Sequence, residues 1–203
     1  MKYPQTILDL IECFKKLPGI GEKTAERLAL SLINADENYI NLFSESLKNI
    51  KLKIKKCKIC NNFSEDELCL ICKDKNRNKK VLCVVEEPKN INLFEKLNIF
   101  DGYYHVLGGL ISPIDGINPE DIDVNNLIER VKENKVEEVI MALKPSIEGE
   151  TTSLYISKLL EPFNVNISKI AYGIPMGAEI DYVDSLTLEM ALENRMKISS
   201  KKS

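Results

Sequence analysis

One histidine, His105, is all that this 203-residue chain contains. No Cys-His or Ser-His-acid set can be assembled around it with any specificity, so triad-type acyl transfer is set aside, and a structural role in its apolar setting is expected. No run approaches the roughly 18 consecutive apolar residues that a membrane-spanning helix needs, and the opening Met-Lys-Tyr-Pro carries no apolar signal stretch. The chain therefore reads as soluble and cytoplasmic, with no membrane among its partners. Phosphate loops are missing as well. Gly108-Gly109 and Gly173-Ile174-Pro175-Met176-Gly177 lack a Gly-Lys-Ser/Thr ending and read as turns at strand ends.

What is present is a cysteine pattern. Cys57, Cys60, Cys69 and Cys72 form C-x₂-C-x₈-C-x₂-C, two pairs each spaced so that a tight turn presents two sulfurs to one tetrahedral ion. Disulfides suit short secreted chains, and this chain keeps two further single cysteines, Cys13 and Cys83. One structural zinc per chain is the expected cofactor. Because sulfur fills every ligand position, no coordination site is left for a reactive water. The polar stretch 61–67 between the pairs is too short for a core of its own, so the ion must supply its folding energy. Cys83, in an apolar strand, and Cys13, on a helix, are expected to pack as small hydrophobes.

The net charge of −3 conceals an asymmetry. Residues 1–80 hold 16 Lys and Arg against 11 Asp and Glu, a net +5, while residues 81–203 hold 12 against 20, a net −8. The halves should have different partners. Lys48, Lys51, Lys53, Lys55, Lys56 and Lys58 lead into the cysteine pattern and suit a polyanion.

Periodicity divides the chain. Ile7, Leu8, Ile11, Phe14 and Leu17 recur at helical spacing, as do Ala25, Leu28, Ala29, Leu32 and Ile33; a third helix is predicted from Asp36 with Tyr39, Ile40, Phe43, Leu47 and Ile50. Beyond the cysteines, strands are predicted at 81–85, 103–107, 139–143 and 165–170, with helices around 89–98, 124–135 and 151–161 between them. Such alternation implies a mostly parallel sheet covered on both faces. A last helix is expected over 184–197, with a frayed Ser-Lys-Lys-Ser end. The expected organisation is a multi-module α/β chain: a helical domain at 1–56, a four-cysteine zinc finger at 57–80, the sheet domain at 81–172, and a C-terminal segment and helix at 173–203.

Between the first two helices runs Leu17-Pro18-Gly19-Ile20-Gly21-Glu22-Lys23-Thr24-Ala25-Glu26-Arg27. Two glycines allow a sharp turn, and the next helix opens with free N–H groups that can bind a phosphate. Lys23 and Arg27, one turn apart on one face, and the Thr24 hydroxyl can add to the same contact.

These pieces carry a resemblance. Pro18-Gly19-Ile20-Gly21 with Lys23 and Arg27 resembles a helix-hairpin-helix motif, and the sheet region resembles a Toprim domain, the metal-binding fold of primases and type IA topoisomerases. The order helix-hairpin-helix, four-cysteine finger, Toprim is similar to that of the RecR family of bacterial recombination mediators, over essentially the whole chain. Specific segments include Cys83-Val84-Val85-Glu86, Tyr104-His105-Val106-Leu107-Gly108-Gly109, Ser112-Pro113-Ile114-Asp115-Gly116-Ile117, Glu148-Gly149-Glu150 and Tyr182-Val183-Asp184. The resemblance implies DNA binding through Gly19, Gly21, Lys23, Thr24 and Arg27. It further implies a homo-oligomer, a dimer or a ring tetramer, that works with RecO or RecF type proteins to load RecA on gapped single-stranded DNA during recombinational repair.

Catalytic Toprim proteins carry a glutamate after the first strand and a later D-x-D-x-E-G-E run, carboxylates that hold Mg²⁺. Glu86 fills the first position. In Lys144-Pro145-Ser146-Ile147-Glu148-Gly149-Glu150, however, Lys144 and Ser146 stand where both aspartates should be. A lysine repels the ion, so a non-enzymatic mediator is expected; the alternative is a Mg-dependent Toprim nuclease or primase-like enzyme using Glu86, Glu148 and Glu150. Without aspartates, these three carboxylates are expected to form an uncompensated acidic cluster that docks a basic partner protein. Lys144, Asn90 and Tyr172 depart from the family pattern and are candidates for altered partner contacts.

Overall fold

The helical stripe of the first residues becomes two helices joined by a glycine turn, α1 (Gln5–Lys15) and α2 (Glu22–Ile33), followed by α3 (Glu37–Lys53). The structure, a computed structural model, describes residues 3–171 and 173–196. Tyr172 and the Ser-Lys-Lys-Ser end lie outside the described residues. The chain divides into two compact units, Met1–Ile54 and Lys55–Ser203.

In the first unit, Ile11 of α1 packs on Ala25 and Ala29 of α2, with Ile7, Leu10, Phe14 and Ile20 around them. Small alanines at an i, i+4 spacing let the two helices approach closely. Cys13 is not part of this core. It is exposed, a correction to its expected packing, because it lies on α1 two residues beyond Ile11 and so points away from the Ile7–Ile11–Phe14 stripe. Asp36 caps α3 by accepting from Asn38 N at 2.8 Å. No residue of α3 is buried, and Tyr39, Leu42, Leu47 and Ile50 stand exposed.

The second unit opens with a small antiparallel ladder, β1 (Lys55–Lys56) on β2 (Phe63–Ser64), then a one-turn helix, α4 (Leu70–Lys73). The sheet follows as β3 (Asn78–Val85), α5 (Pro88–Leu97), β4 (Gly102–Val106), α6 (Val124–Asn134), β5 (Glu138–Ala142), α7 (Ile147–Leu160) and β6 (Asn166–Lys169). Its order is β4-β3-β5-β6 and every pairing is parallel, as the strand-helix alternation predicts. Alternate residues of each strand face opposite sides. Leu82, Val84, Val139 and Met141 pack with Leu127 and Val131 of α6 and Ile156 and Leu160 of α7. Cys83, Val85, Tyr104, Val106 and Ala142 pack on the other face with Ile91 and Phe94 of α5. Cys83 is thus a buried small hydrophobe, and burial pushes its thiol up to about 12.

Helix α7 begins at Ile147, four residues before its predicted start near Thr151. Ser146 is the reason: its hydroxyl caps the helix by accepting from Gly149 N at 3.2 Å, drawing Glu148-Gly149-Glu150 into the first turn. A last helix, α8 (Ser185–Glu193), is capped by Asp184 and buries no residue. Among the described residues no helix is long and apolar enough to cross a membrane.

Candidate functional site

Three predicted sites acquire geometry, one in the first unit and two in the second. At the cysteine pattern, two turns deliver sulfur to one point. Cys57 N donates to Asn62 O at 2.7 Å and Asn61 N to Cys57 O at 3.0 Å, closing the first turn. Asn61 takes a left-handed φ of 61°, a conformation that asparagine tolerates better than most side chains. Cys69 starts α4 and Cys72 lies on it, with Lys73 N donating to Cys69 O at 3.1 Å. The four Sγ atoms all lie within 4.8 Å of one another, and Cys60 and Cys69 are 3.6 Å apart. A tetrahedral zinc with Zn–S near 2.3 Å requires sulfurs about 3.8 Å apart, so the quartet fits the ion.

The sulfurs also need it. Contact with the Cys69 sulfur pushes Cys60 up to about 12, Cys60 and Cys69 together push Cys72 up, and hydrogen bonds from Cys60 and Cys72 hold Cys69 well below its ordinary range. Four thiols crowded this closely cannot all ionise without a cation between them; zinc makes them thiolates at once. The four cysteines form one structural zinc site.

The knuckle is attached to the edge of the sheet. Val106 N, on edge strand β4, donates to Cys60 O at 2.9 Å, and Asn61 Nδ2 donates to Val106 O at 3.2 Å and to the Asp123 carboxylate. These bonds occupy backbone groups that an open edge would leave for another chain. On the chain leaving the knuckle, Arg77 pairs with Glu95 and donates to Gly102 O at 3.0 Å, and Tyr103 donates to Asp74 O at 2.5 Å. His105 is fully buried on β4; its Nε2 lies 2.7 Å from Asp123 O and its Nδ1 3.2 Å from Arg130 Nη1. One neutral tautomer satisfies both contacts, with Nε2 donating and Nδ1 accepting. Burial first, and the Arg130 charge second, push His105 down to about 4. Sequence reasoning missed Asn61, Asp123 and Arg130, which are far apart in the chain; a charged residue directly before Val131 on the core-facing stripe of α6 was the one local sign.

In the first unit the glycine turn has the predicted form. Gly19 takes φ +79°, a region open to glycine, and Ile20 N donates to Leu17 O at 3.1 Å. Gly21 stands at the N-cap of α2 with no side-chain cap, so the first N–H groups of the helix face outward uncapped. Lys23 and Arg27 are exposed and Thr24 is half-buried. An uncapped helix start beside two exposed cations has a positive local field. Of the basic run, Lys48, Lys51 and Lys53 lie on α3 in the first unit, while Lys55, Lys56 and Lys58 belong to the second, where Lys58 pairs with Glu67 at 2.6 Å.

At the sheet, Glu86 follows β3, and Glu148 and Glu150 lie on the first turn of α7 after the neighbouring strand β5. The expected absence of compensation is corrected here. Burial and Glu87 raise the Glu86 carboxyl while Lys144 lowers it; the Ser146 hydroxyl, the helix N–H and Lys144 lower Glu148; and Lys169 Nζ lies 3.1 Å from Glu150. The parallel register sets Lys169 opposite Met141, which brings a lysine of β6 beside α7. Among the described residues the cysteine quartet is the one group of three or more potential ligands gathered within 4.8 Å, so the three glutamates are not drawn together as a metal triad would be. Gly149 fixes the position of Lys144: a Cβ there would stand 1.9 Å from Lys144 O. Asn90 is also engaged, its Oδ1 accepting from Glu87 N at 2.9 Å in the capping box of α5.

The chain matches family models in the order of these sites. The RecR helix-hairpin-helix model covers residues 7–51, the RecR four-cysteine zinc finger domain model 54–74, the Toprim domain model 80–171 and the RecR C-terminal model 173–196. Over 197 residues it is 47% identical to the Recombination protein RecR of Prochlorococcus marinus (strain MIT 9312), a match covering 97% of this chain and 98% of that protein.

Proposed function

The chain belongs to the RecR family, and from that premise we propose that it is a non-enzymatic recombination mediator in DNA repair, loading RecA on gapped single-stranded DNA together with RecO or RecF type partners. The single observation that carries the non-enzymatic part is Lys144. Its ammonium acts on both Glu86 and Glu148, the carboxylates that would otherwise hold a catalytic Mg²⁺. The zinc has four sulfur ligands and supplies structure. What remains for the chain to do is to bind and to bring partners together.

DNA is the first partner. The uncapped α2 start at Gly19 and Gly21, with Thr24, Lys23 and Arg27, supports a phosphate contact that ignores sequence. For the protein partner we propose Glu86, Glu148 and Glu150, a surface on which Lys144 and Lys169 leave acid in excess. A homo-oligomer, dimer or ring tetramer, is supported by large apolar side chains that stand exposed: Tyr39, Leu42, Leu47 and Ile50 on α3, and Tyr182, Leu186 and Leu192 at and before α8. Exposed apolar side chains of this size suit burial against a second copy of the same chain. Six unpaired cysteines fit a reducing cytoplasm.

The test is reconstitution. The chain, added with a RecO-type protein, is expected to accelerate RecA assembly on gapped DNA coated by single-strand-binding protein. Lys23→Ala with Arg27→Ala is expected to weaken DNA binding equally on unrelated sequences and to flatten its salt dependence by up to about two units of slope. Loading that is indifferent to the chain would overturn the mediator reading, and undiminished DNA binding by the double variant would remove these residues from the contact.

A further inference from the structure

We propose that the guanidinium of Arg130 is the counter-charge of the zinc–thiolate centre, reaching it from α6 and setting how tightly the zinc is held. A zinc ion bound by four thiolates carries a net charge of −2. A centre of that charge, largely buried at the junction of the knuckle with the sheet, needs a cation nearby. Lys56, Lys58 and Lys73 flank the ligands in sequence and Lys79 lines the same cavity, but all four are exposed, and Lys58 and Lys73 are already paired with Glu67 and Asp66. Arg130 lines the same cavity as Cys72, Lys58 and Tyr103, a space of about 420 Å³ between the knuckle and α6.

The way Arg130 is held points to the same role. Its Nη1 donates to Tyr104 O at 2.8 Å and to His105 Nδ1 at 3.2 Å, which fixes the plane of the guanidinium. Its Nε is buried and has no hydrogen-bond partner, a feature shared among the described residues with Arg77 alone. The two differ in their acids. Arg77 pairs with Glu95 and approaches Asp74, whereas among the described residues no carboxylate lies within ion-pair distance of Arg130. A guanidinium stays charged even when buried, and burying one without a negative partner is costly. Burial disfavours the Arg130 charge, and the cavity that Arg130 shares with Cys72 opens it toward the sulfurs. His105 cannot share the task, since both its nitrogens are engaged as a neutral ring. With no carboxylate paired to it, Arg130 is left with the sulfur cluster across the shared cavity to answer its charge.

The experiment measures zinc release from the full chain to an excess of a chromophoric zinc chelator, with melting of the zinc-loaded and zinc-stripped proteins alongside. Arg130→Gln, which removes the charge, is expected to release zinc about tenfold faster or more, within the range known for outer-shell partners of a metal. Its zinc-loaded form should also lose more stability than its stripped form. Arg130→Lys should stay within about threefold of the parent, since it keeps the charge. Equal loss of stability with and without zinc, at an unchanged release rate, would make Arg130 a mere strut for β4 and overturn the proposal. Release from Arg130→Lys as fast as from Arg130→Gln would do the same, by assigning the effect to hydrogen bonding. Should Arg130→Gln fail to accumulate, the counter-charge role predicts its rescue by Cys72→His, which leaves the filled site one negative charge fewer; absence of rescue refutes it.

Discussion

At the knuckle, four sulfurs meet within 4.8 Å, and the half-buried Arg130 lies outside the cluster on another element. At the carboxyl edge of the sheet, three glutamates follow neighbouring strands and three lysines act among them, Lys144 on Glu86 and Glu148, Lys89 on Glu86 and Lys169 on Glu150. Both regions hold metal-ligand residue types at positions that their families use for metal. At one the ligands gather around a single point; at the other, among the described residues, no three of them do. Like-charged ligands forced together leave a place that only a cation can fill, whereas a lysine tethered to the chain fills it permanently and without exchange. The same principle separates the two: the knuckle's charge is answered by an ion, and the edge's by side chains of the chain itself.

The largest test of this contrast removes a sulfur. Cys57→Ser or Cys72→Ser is expected to lower the zinc content from one per chain and to cost about 5 kcal/mol or more, against the roughly 10–16 kcal/mol that zinc supplies to isolated fingers. Metal analysis and urea unfolding check it, and full zinc occupancy in either variant would break the comparison. The acidic edge should ignore that loss of metal but not a change in backbone packing. Gly149→Ala puts a Cβ against Lys144 O, so a destabilisation of about 3 kcal/mol is expected, with zinc content unchanged. An alanine variant as stable as the parent would mean that Lys144 is not held where the contrast requires.

The seam between knuckle and sheet supplies a smaller effect. His105 is pushed down to about 4 in the fold, below its ordinary 6.5, so on acidification the unfolded chain takes up this proton first. Its contribution is complete above about pH 6.5 and disappears as the pH falls through 4, and roughly 2 kcal/mol of it is gone by pH 5. Zinc thiolates titrate in acid too, so His105→Asn is the comparison. Urea unfolding at pH 7 and pH 5 should show a shallower loss in the variant; equal losses would assign the acid sensitivity to the metal alone.

Much of this was legible in the sequence, and the exceptions share a cause. Strand-helix alternation carries the parallel sheet, because strands buried on both faces are written as short continuous apolar runs. The knuckle is legible because its ligands come in two local pairs. Cys13 was misjudged because apolar character alone does not give its angle on α1. The start of α7 was misplaced because Glu-Gly-Glu resembles a turn until Ser146 is seen as its cap. The pairing of Glu150 with Lys169 depends on the register of β5 against β6, and the chain of contacts from Asn61 through Asp123 and His105 to Arg130 joins residues up to 69 positions apart. No local spacing announces contacts of that range.

The most discriminating change should also have the smallest effect. Lys144→Asp with Ser146→Asp rewrites the run as D-x-D-x-E-G-E while keeping a residue at 146 that caps α7 as well as serine does. Removing the ammonium leaves Glu86 and Glu148 beside two further carboxylates, an arrangement that repels itself until a cation enters. The double variant is therefore expected to be less stable than the parent in the absence of divalent ions and to recover with Mg²⁺. At an ion concentration about ten times a millimolar-range Kd, binding returns roughly 1.4 kcal/mol. The parent, whose Lys144 already answers those charges, should melt at the same temperature with MgCl₂ as with NaCl of equal ionic strength. A Mg²⁺ shift as large in the parent would show that Lys144 does not keep the ion out. A double variant indifferent to Mg²⁺ would show that the edge lacks ligand geometry altogether, so that the loss of the metal site lies in the backbone and not in one side chain.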